Sequence, residues 1–367
     1  MTTKLSLPVS LGEALDKLTI LDIKLTKILD SRKDDVQKEY DLLDILLKPY
    51  RVEHSYYYRI LKEINTKIWE LQEVFHGKST TPEQGALICK QILDENDRRF
   101  RVKSKLNHIS KSNIKEQKGY AQKKAFVYGH LGLGDMYWMN GAVRYLATVY
   151  DEVVVVCKER NKTNVATMYE DDPTIHLFVI EDDFVIQPFR QKRKEFEKQG
   201  FIVYACGVHI GAPIKEFPLS FYDDFGLDRN IRSLYFHVPR LAEAHALYND
   251  VCVTSTNYIV IHQQSSTGSL AIWDVVKRKF PTTLILDVNT NHYTKEDSFY
   301  SAAEMVVGKP LLHYTILLER AFEIYMLESS VYCLASHLDL SEVKGLYCYN
   351  AFDKSNERIG VFKTARL

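Results

Sequence analysis

An apolar run, a loop with three glycines, an amphipathic segment and a second apolar run follow one another between residues 125 and 158. The first run, AFVY, is typical of a strand, and MYWMNGAVRYLATVY has helical spacing. EVVVVC is a β-branched run, typical of a strand that is buried on both faces. A strand, a helix and a strand in this order form a βαβ unit, so this part of the chain should build a parallel sheet.

Later apolar runs extend the pattern and divide it into two sets of strands. The first set adds IHLFVI (175–180) and FIVYAC (201–206), separated by the solvated helical run RQKRKEFEKQG. The second set contains YIVIH (258–262), TTLILDV (282–288), MVV (305–307), EIYMLE (323–328) and GLYCY (345–349). The junction lies near residues 239–257. We therefore predict an α/β fold with two Rossmann-like halves, over 121–250 and 251–367.

The first third of the chain, residues 1–120, shows helical periods and almost no strand pattern. Three apolar stripes predict an all-α hairpin or small bundle. The stripes are Leu11, Leu15, Leu18, Leu25 and Leu29; Tyr57, Leu61, Ile64, Ile68, Leu71 and Phe75; and Ile88, Ile92, Val102, Leu106 and Ile109. Ser10 is the expected N-cap of the first helix with Glu13 as its capping-box partner, and 76–85 is the turn between the two long helices.

Three charged residues, Asp22, Glu95 and Arg99, occupy positions of these stripes. They either lie solvated at the edge or pair across a helix interface, where buried charges fix register. The stripes carry more apolar surface than one hairpin can cover, so part of it should meet the α/β halves or another chain. We expect a homodimer through residues 1–120, with these three residues helping to set its register.

The composition excludes several classes of protein. The chain has 367 residues, 46% hydrophobic, which suffices for more than one core. Its 48 Lys and Arg balance 48 Asp and Glu, so no net charge attracts nucleic acid or an acidic membrane. Six cysteines without metal-ligand spacing predict a reducing compartment and no structural zinc. With no apolar run long enough for a membrane span, we expect a cytoplasmic protein, in the host cytoplasm if it is viral.

The first glycine loop is a candidate binding loop. Gly129, Gly132 and Gly134 lie between a strand and a helix, where backbone amides can face an anion or a hydroxylated ligand. They could equally serve only to allow a tight turn. A dinucleotide site would add an acid after the second strand, but Lys158, Glu159 and Arg160 stand there. Asp135 at the helix start is a candidate general base, although a helix cap would look the same.

Two loops of the second half carry hydroxyls at strand ends. HQQSSTG (262–268) is suited to phosphate or ribose oxygens, and LESSVYCLASHL (327–338) places a serine N-cap at a strand-to-helix turn. Ordinary capping would explain both loops as well. The candidate residues for binding a donor molecule with phosphate or ribose oxygens are His262, Ser265, Ser266, Thr267, Gly268, Glu328, Ser329 and Ser330.

Two segments of the first third resemble a bacterial helical domain of unknown function. They are VSLGEALDKLTILDIKLTKI (9–28) and NDRRFRVKSKLNHISKSNIKEQKGY (96–120). Members of that family open with a VSxGELxDKxTIL-like helix and often lie near or are fused to sugar-transfer genes. This resemblance implies a biological setting and no particular reaction.

The α/β part resembles glycosyltransferases of the two-Rossmann-domain (GT-B) architecture, near heptosyltransferase-like and fucosyltransferase-like members of bacteria and large viruses. GLGD (132–135) is similar to the GD motif of their first loop, and LESSVYCLA (327–335) is similar to their DSGxxHLA-like motif. FYDDFGLDRNIRSLYFHVPR (221–240) looks like the segment between their halves. Glu328, Ser330 and Cys333 depart from the Asp, Gly and His of that pattern, and 262–268 lacks the basic residue of many relatives.

The resemblance implies transfer of a sugar from a nucleotide-diphosphate donor to a hydroxyl of a glycan or related acceptor, with Asp135 as base. Neither a DxD motif nor a metal-ligand cluster stands out, although Asp171 and Asp172 form a loop pair, so we expect no metal and no cofactor. Two alternatives stay open: a non-catalytic binding or scaffold protein of the same architecture, and a nucleotide-sugar epimerase.

Overall fold

The computed structural model describes residues 7–77, 80–119, 121–129, 132–181, 186–206, 219–265, 268–349 and 363–365. They form two compact units. The first contains the chain up to Ala125 together with Arg144–Val153 and Asp171–His176. The second contains Phe126–Val143, Val154–Glu170 and the chain from Leu177 onward.

The first unit is built on four helices. They are α1 (Leu11–Lys27), α2 (Arg32–Glu53), α3 (Ser55–Gly77) and α4 (Pro82–Ile109). The Ser10 side chain caps α1 by accepting the Glu13 amide at 3.3 Å, as predicted. Thr81 and Gln84 form a reciprocal capping box at the start of α4. The end of α3 and the start of α4 lie in the predicted turn region.

The centre of each apolar stripe forms the core of this unit. Leu15, Leu18, Leu61, Ile64 and Leu106 are completely buried. The first stripe was extended too far, because α1 ends at Lys27 and Leu29 is 88% exposed. The sequence analysis also missed α2 as a separate helix, since its apolar residues occur on more than one face.

The polar stripe residues are paired between helices, and for Glu95 the solvated interpretation is wrong. Glu95 is buried, bonds Arg98 at 2.7 Å and contacts Lys67 of α3. Asp22 bonds Lys62 of α3 at 2.7 Å. The Arg99 guanidinium lies 3.7 Å from Asp16 of α1. These charges join α1, α3 and α4 within one chain, so they hold the register of the bundle itself.

Part of the helical surface packs on other segments of the same unit. Lys105 of α4 bonds the Asp172 carboxylate at 2.5 Å and the Ala147 carbonyl at 2.8 Å. Arg101 of α4 bonds Asp151 at 2.7 Å, and Tyr57 of α3 donates to Asp171 at 2.8 Å. We expected part of the helical surface to meet the α/β halves or another chain. These contacts show that segments of the same chain cover some of that surface.

The remaining helices lie between the strands along the chain. They are α5 (Leu133–Val149), α6 (Lys162–Met168), α7 (Ile186–Lys198), α8 (Ser220–Asp224), α9 (Ile231–Leu234), α10 (Ala242–Thr254), α11 (Ile272–Lys279), α12 (Tyr300–Val306), α13 (Thr315–Glu319) and α14 (Ser330–Ala335), with 3-10 turns at Glu159–Asn161 and Leu311–Tyr314.

The first sheet has the strand order β3-β2-β1-β4. Its strands are β1 (Lys124–Tyr128), β2 (Glu152–Lys158), β3 (Ile175–Ile180) and β4 (Phe201–Ala205). All four coincide with predicted strands, and α5 connects β1 to its neighbour β2. On one face Phe126 packs with Val154 and Val156, and its ring stacks on Phe196 of α7 at 4.0 Å between centroids. The opening βαβ prediction is confirmed.

The second sheet has the order β11-β10-β9-β5-β8, and its pairs are parallel. Its strands are β5 (Tyr258–His262), β8 (Leu284–Asp287), β9 (Glu323–Leu327), β10 (Gly345–Tyr349) and β11 (Lys363–Ala365). Two-residue strands β6 (Gln264–Ser265) and β7 (Gly268–Ser269) pair antiparallel beside it. Ile259, Ile261 and Ile285 pack against α11. The mixed α/β class with a helical N-terminal part is confirmed.

One strand prediction was wrong. MVV at 305–307 lies at the end of α12, not in the sheet. Ala302, Ala303 and Val306 are buried on that helix, so its valine fills a helical packing position despite its β-branched side chain.

Candidate functional site

The first glycine loop places Asp135 in the first turn of α5, where the helix dipole favours an anion. A Cβ on Gly132 would lie 2.7 Å from Oδ2 of Asp135, so a side chain at residue 132 would displace this carboxylate. A Cβ on Gly134 would lie 3.0 Å from the Cys333 sulfur and 3.6 Å from Cα of Ser330. Gly134 therefore allows close approach of this loop to the start of α14.

The end of β9 supplies the facing wall. Ser329 is the N-cap of α14, and its hydroxyl accepts the Tyr332 amide at 3.5 Å. The same oxygen lies 3.1 Å from Nδ1 of His262, the last residue of β5. When the hydroxyl donates its hydrogen to Nδ1, the proton of the neutral imidazole is on Nε2.

Burial lowers the pKa of His262 to about 4. The imidazole is therefore neutral near pH 7, because removal from water disfavours its charged form. A neutral ring with a proton on Nε2 is a hydrogen-bond donor without a charge. It suits a sugar or phosphate oxygen as a fixed contact and does not act as a cation.

A hydrogen-bonded network fixes the neighbouring loop after β8. The Asn289 side-chain oxygen accepts the amides of Gln263 and Gln264 at 3.1 and 3.0 Å. The Asp287 carboxylate, which is completely buried, accepts the Asn289 amide and lies 2.8 Å from Nε2 of His292. Burial raises the pKa of Asp287, an effect that these hydrogen bonds oppose. The network holds Asn289 and the segment after β5 in one geometry.

These elements enclose one cavity of about 760 Å³ in the second unit. Eight of its described lining residues were predicted as site residues: Gly132, Gly134, Asp135, His262, Ser265, Glu328, Ser329 and Ser330. Sequence analysis did not assign the other seven: Leu133, Trp138, Arg160, Asn161, Gln264, Asn289 and Cys333.

Four predicted residues are not among those that line the cavity. Gly129 is buried, and a Cβ there would lie 2.3 Å from the Met139 sulfur, so its place is explained by packing. Gly268 is exposed, with φ +149°, a conformation that favours glycine. Ser266 and Thr267 lie outside the described residues.

Arg160 is the most informative residue that the sequence analysis left unassigned. Among the described lining residues it is the one Lys or Arg, whereas Asp135 and Glu328 contribute carboxylates. It lies just after the end of β2, where a dinucleotide-binding site would have an acid that binds ribose. A guanidinium is well suited to phosphate or carboxylate oxygens. The basic residue at this position of the sequence was therefore the signal from which Arg160 could have been predicted as a site residue.

Cys333 forms part of the cavity floor. Burial and the charges of Asp135 and Glu328 raise its pKa well above the ordinary value, and a hydrogen bond with Trp138 opposes this shift. The thiol is therefore protonated and unreactive near neutral pH. Since the charges of Asp135 and Glu328 both raise this pKa, the two carboxylates lie near the same part of the cavity.

Within the described residues, no three His, Cys, Asp or Glu side chains are grouped to hold a metal ion. Asp171 and Asp172, the acidic pair noted in the sequence, lie in the first unit and bond Arg144, Tyr57 and Lys105. None of the helices in the described part of the chain is long and apolar enough to cross a membrane.

The structure is that of an α/β protein with a helical N-terminal part and a cavity at strand ends. Residues 5–127 match a family of unknown function, DUF6165. The match covers about a third of the chain and contains both segments for which a resemblance to a helical domain was noted. No curated protein matches the chain.

Three similar solved structures are described as glycosyltransferases. The iron-containing dodecameric glycosyltransferase TibC from enterotoxigenic E. coli is 16% identical with a TM-score of 0.36 over 65% of this chain and 61% of its own. The heptosyltransferase TibC in complex with ADP-D-β-D-heptose is 15% identical, with a TM-score of 0.37 over 65% and 60%. A family 9 glycosyl transferase from Veillonella parvula is 11% identical, with a TM-score of 0.41 over 68% and 88%. This chain thus spans about three-fifths of the length of TibC.

Two buried histidines should make stability depend on pH. Burial lowers the pKa of both His262 and His337 to about 4, whereas an unfolded histidine titrates near 6.5. Between pH 6.5 and 4 the unfolded chain binds protons that the folded chain does not, so the free energy of unfolding falls as pH falls. Each histidine should contribute a slope of about 1.4 kcal/mol per pH unit.

Urea unfolding at several pH values checks this expectation. His262→Gln and His337→Gln should each flatten the slope between pH 6.5 and 4. The exposed His176 provides the control, because His176→Gln should leave the slope unchanged. Parallel slopes in all four proteins would contradict the assignment of the effect to the buried rings.

Proposed function

We propose that this protein is a glycosyltransferase that moves a sugar from a nucleotide-diphosphate donor to a hydroxyl of a glycan or related acceptor. The supporting observation is that Asp135 after the first loop and the hydroxyl-rich ends of β5 and β9 line one cavity. Its volume of about 760 Å³ is within the range of small-molecule sites.

In this proposal Asp135 is the general base. Its carboxylate accepts the proton of the acceptor hydroxyl while the acceptor oxygen forms a bond to the anomeric carbon of the sugar. The bond from that carbon to the diphosphate oxygen breaks, and the electron pair leaves with the nucleoside diphosphate. The acceptor would lie on the side formed by residues 121–250.

The donor would lie on the side formed by residues 251–367. Ser265 and Ser330 offer hydroxyls, and neutral His262 offers its Nε2 proton to donor oxygens. Arg160 is the one lysine or arginine in the described lining and would oppose the charge that develops on the leaving diphosphate. This arrangement supports a metal-independent reaction, which activity in the presence of a chelator would test.

The proposed setting is a reducing compartment, with cytoplasmic nucleotide sugars as donors. All six cysteines of the chain are free, and four of them are buried. Free thiols are typical of proteins that work in the cytoplasm.

A panel of nucleotide sugars tests the proposed function directly. Thermal shift should identify one donor class, since a ligand at 100 times its Kd adds about 2.7 kcal/mol of stability. That donor should then be hydrolysed slowly alone and transferred faster with an acceptor. Binding without turnover would instead favour the non-catalytic alternative, and an isomerised sugar nucleotide formed without acceptor would favour an epimerase.

Ser330→Glu should weaken binding of the nucleoside diphosphate by about tenfold or more, because it adds a negative charge at the start of α14 beside the proposed diphosphate position. Calorimetry measures the affinity. Thr256→Glu adds the same charge at an exposed residue before β5, about 20 Å along the chain from His262 at the far end of that strand. The control should bind as wild type, and equal affinity in both variants would place the diphosphate elsewhere.

A further inference from the structure

Helix α2 carries an apolar stripe on its solvent face. Leu42, Ile45 and Leu46 are 63%, 76% and 67% exposed, and Pro49 and Tyr50 continue the stripe. The spacing of three and four places these five residues on one side of the helix. Leu47, on the other side, is buried. A continuous exposed stripe of this kind is typical of a surface that another helix covers.

We propose that the occupant is α2 of a second copy of this chain, packed antiparallel about a two-fold axis that passes between Ile45 and Leu46. In this register Ile45 lies against Leu46 of the second copy, and Leu42 lies against Pro49 of the second copy. Both contacts occur twice, since a two-fold interface uses the same patch on each copy.

Charge complementarity selects the antiparallel arrangement. Lys38 lies seven positions before Ile45, and Glu53 lies seven positions after Leu46, on the same face of the helix. Both side chains are well exposed, at 75% and 69%. Antiparallel packing therefore brings each Lys38 to Glu53 of the second copy, at both ends of the stripe.

A parallel pair would have the opposite charge pattern. It would place Lys38 beside Lys38 and Glu53 beside Glu53, and like charges in such positions are destabilising. It would also place two prolines opposite each other at Pro49. The second-copy proposal thus depends on the sequence of α2 and is independent of the proposed transferase activity.

This surface differs from the one that the sequence predicted for a dimer. Asp22, Glu95 and Arg99 pair within the bundle, as described above, and Asp22 and Glu95 bond lysines of their own α3. The expectation that residues 1–120 mediate a homodimer is kept. The contact is now the exposed apolar stripe of α2 and no longer the three charged residues of α1 and α4.

Sedimentation equilibrium of the full chain tests the proposal. The wild type should have twice the mass of one chain, and Ile45→Glu with Leu46→Glu should have the mass of one chain. Leu93→Glu is the matched control, since Leu93 of α4 is 67% exposed and lies outside the stripe. Circular dichroism and thermal unfolding must show that the variants fold. A monomeric wild type at about 100 µM, or a dimeric double variant, would overturn the proposal.

A charge exchange tests the orientation. Lys38→Glu should weaken the dimer at least about tenfold, because it places two acids together at both ends of the stripe. Adding Glu53→Lys should restore the wild-type dissociation constant, since the pair is then reversed. A double variant as weak as the single one would refute the antiparallel register.

Discussion

Asp135→Asn is expected to lower turnover by about 100-fold or more while donor affinity and folding stay near wild type. Asparagine has nearly the shape of aspartate and fits beside Gly132, where the carboxylate packs closely. It cannot accept the proton of the acceptor hydroxyl, so the loss should appear in the chemical step. Single-turnover kinetics with the donor identified by thermal shift would measure it.

The control for this variant is Asp250→Asn on the exposed face of α10, which should keep full turnover. Calorimetry with the nucleoside diphosphate distinguishes loss of the general base from damage to the cavity, since a damaged cavity would also lose affinity. Unchanged turnover in Asp135→Asn would reject Asp135 as the base while leaving the donor side of the cavity intact. Glu328, the other carboxylate in the cavity, would then be the next candidate.

Strand positions could be predicted from sequence because buried parallel strands are continuous apolar runs. Glu152–Lys158 and Tyr258–His262 are examples in which the run and the strand coincide. The run MVV failed because three residues are too few to separate a strand from the end of a helix, and tertiary packing placed Val306 in α12. The apolar residues of α2 on several faces similarly concealed a fourth helix.

The candidate site was predictable where a loop begins a helix. Asp135 and Ser329 occupy first-turn and N-cap positions that have a sequence signature. Arg160 had only its basic position after β2 as a signal and Asn289 had none, because each reaches the cavity only through the three-dimensional order of the strands. Gly129 is the opposite case: its place in a glycine-rich loop suggested binding, and its close approach to Met139 provides a packing explanation.

The partners of the charged helix residues could not be predicted at all. Sequence spacing showed that Glu95 interrupts an apolar stripe, but its neighbours Lys67 and Arg98 depend on how α3 packs on α4. The same is true of Lys105 in α4, which sequence analysis did not single out. Its position in the first unit is the basis of the largest expected change in stability.

Lys105→Met should destabilise the protein by about 3–5 kcal/mol. Lys105 and Asp172 each have side chains that are 2% exposed, and their ion pair is 2.5 Å long. Burial lowers the pKa of Lys105, and the charge of Asp172 opposes that shift. Methionine fills similar space but leaves the buried Asp172 carboxylate without its nearest cation, with the Arg144 guanidinium remaining at 3.9 Å. Urea unfolding at pH 7 would measure the loss.

The double variant Lys105→Met with Asp172→Asn should be more stable than Lys105→Met alone, because it also removes the buried charge that has lost its nearest partner. Lys192→Met is the control, since Lys192 and Glu195 form an ion pair with 46% and 54% exposed side chains and should matter by less than about 1 kcal/mol. The pair connects α4 with the segment Asp171–His176, so its loss should also loosen the helical part of the first unit. Hydrogen exchange should then show weaker protection in α4 of Lys105→Met than in the wild type. If the variant lost no more stability than Lys192→Met, the buried pair would not anchor α4.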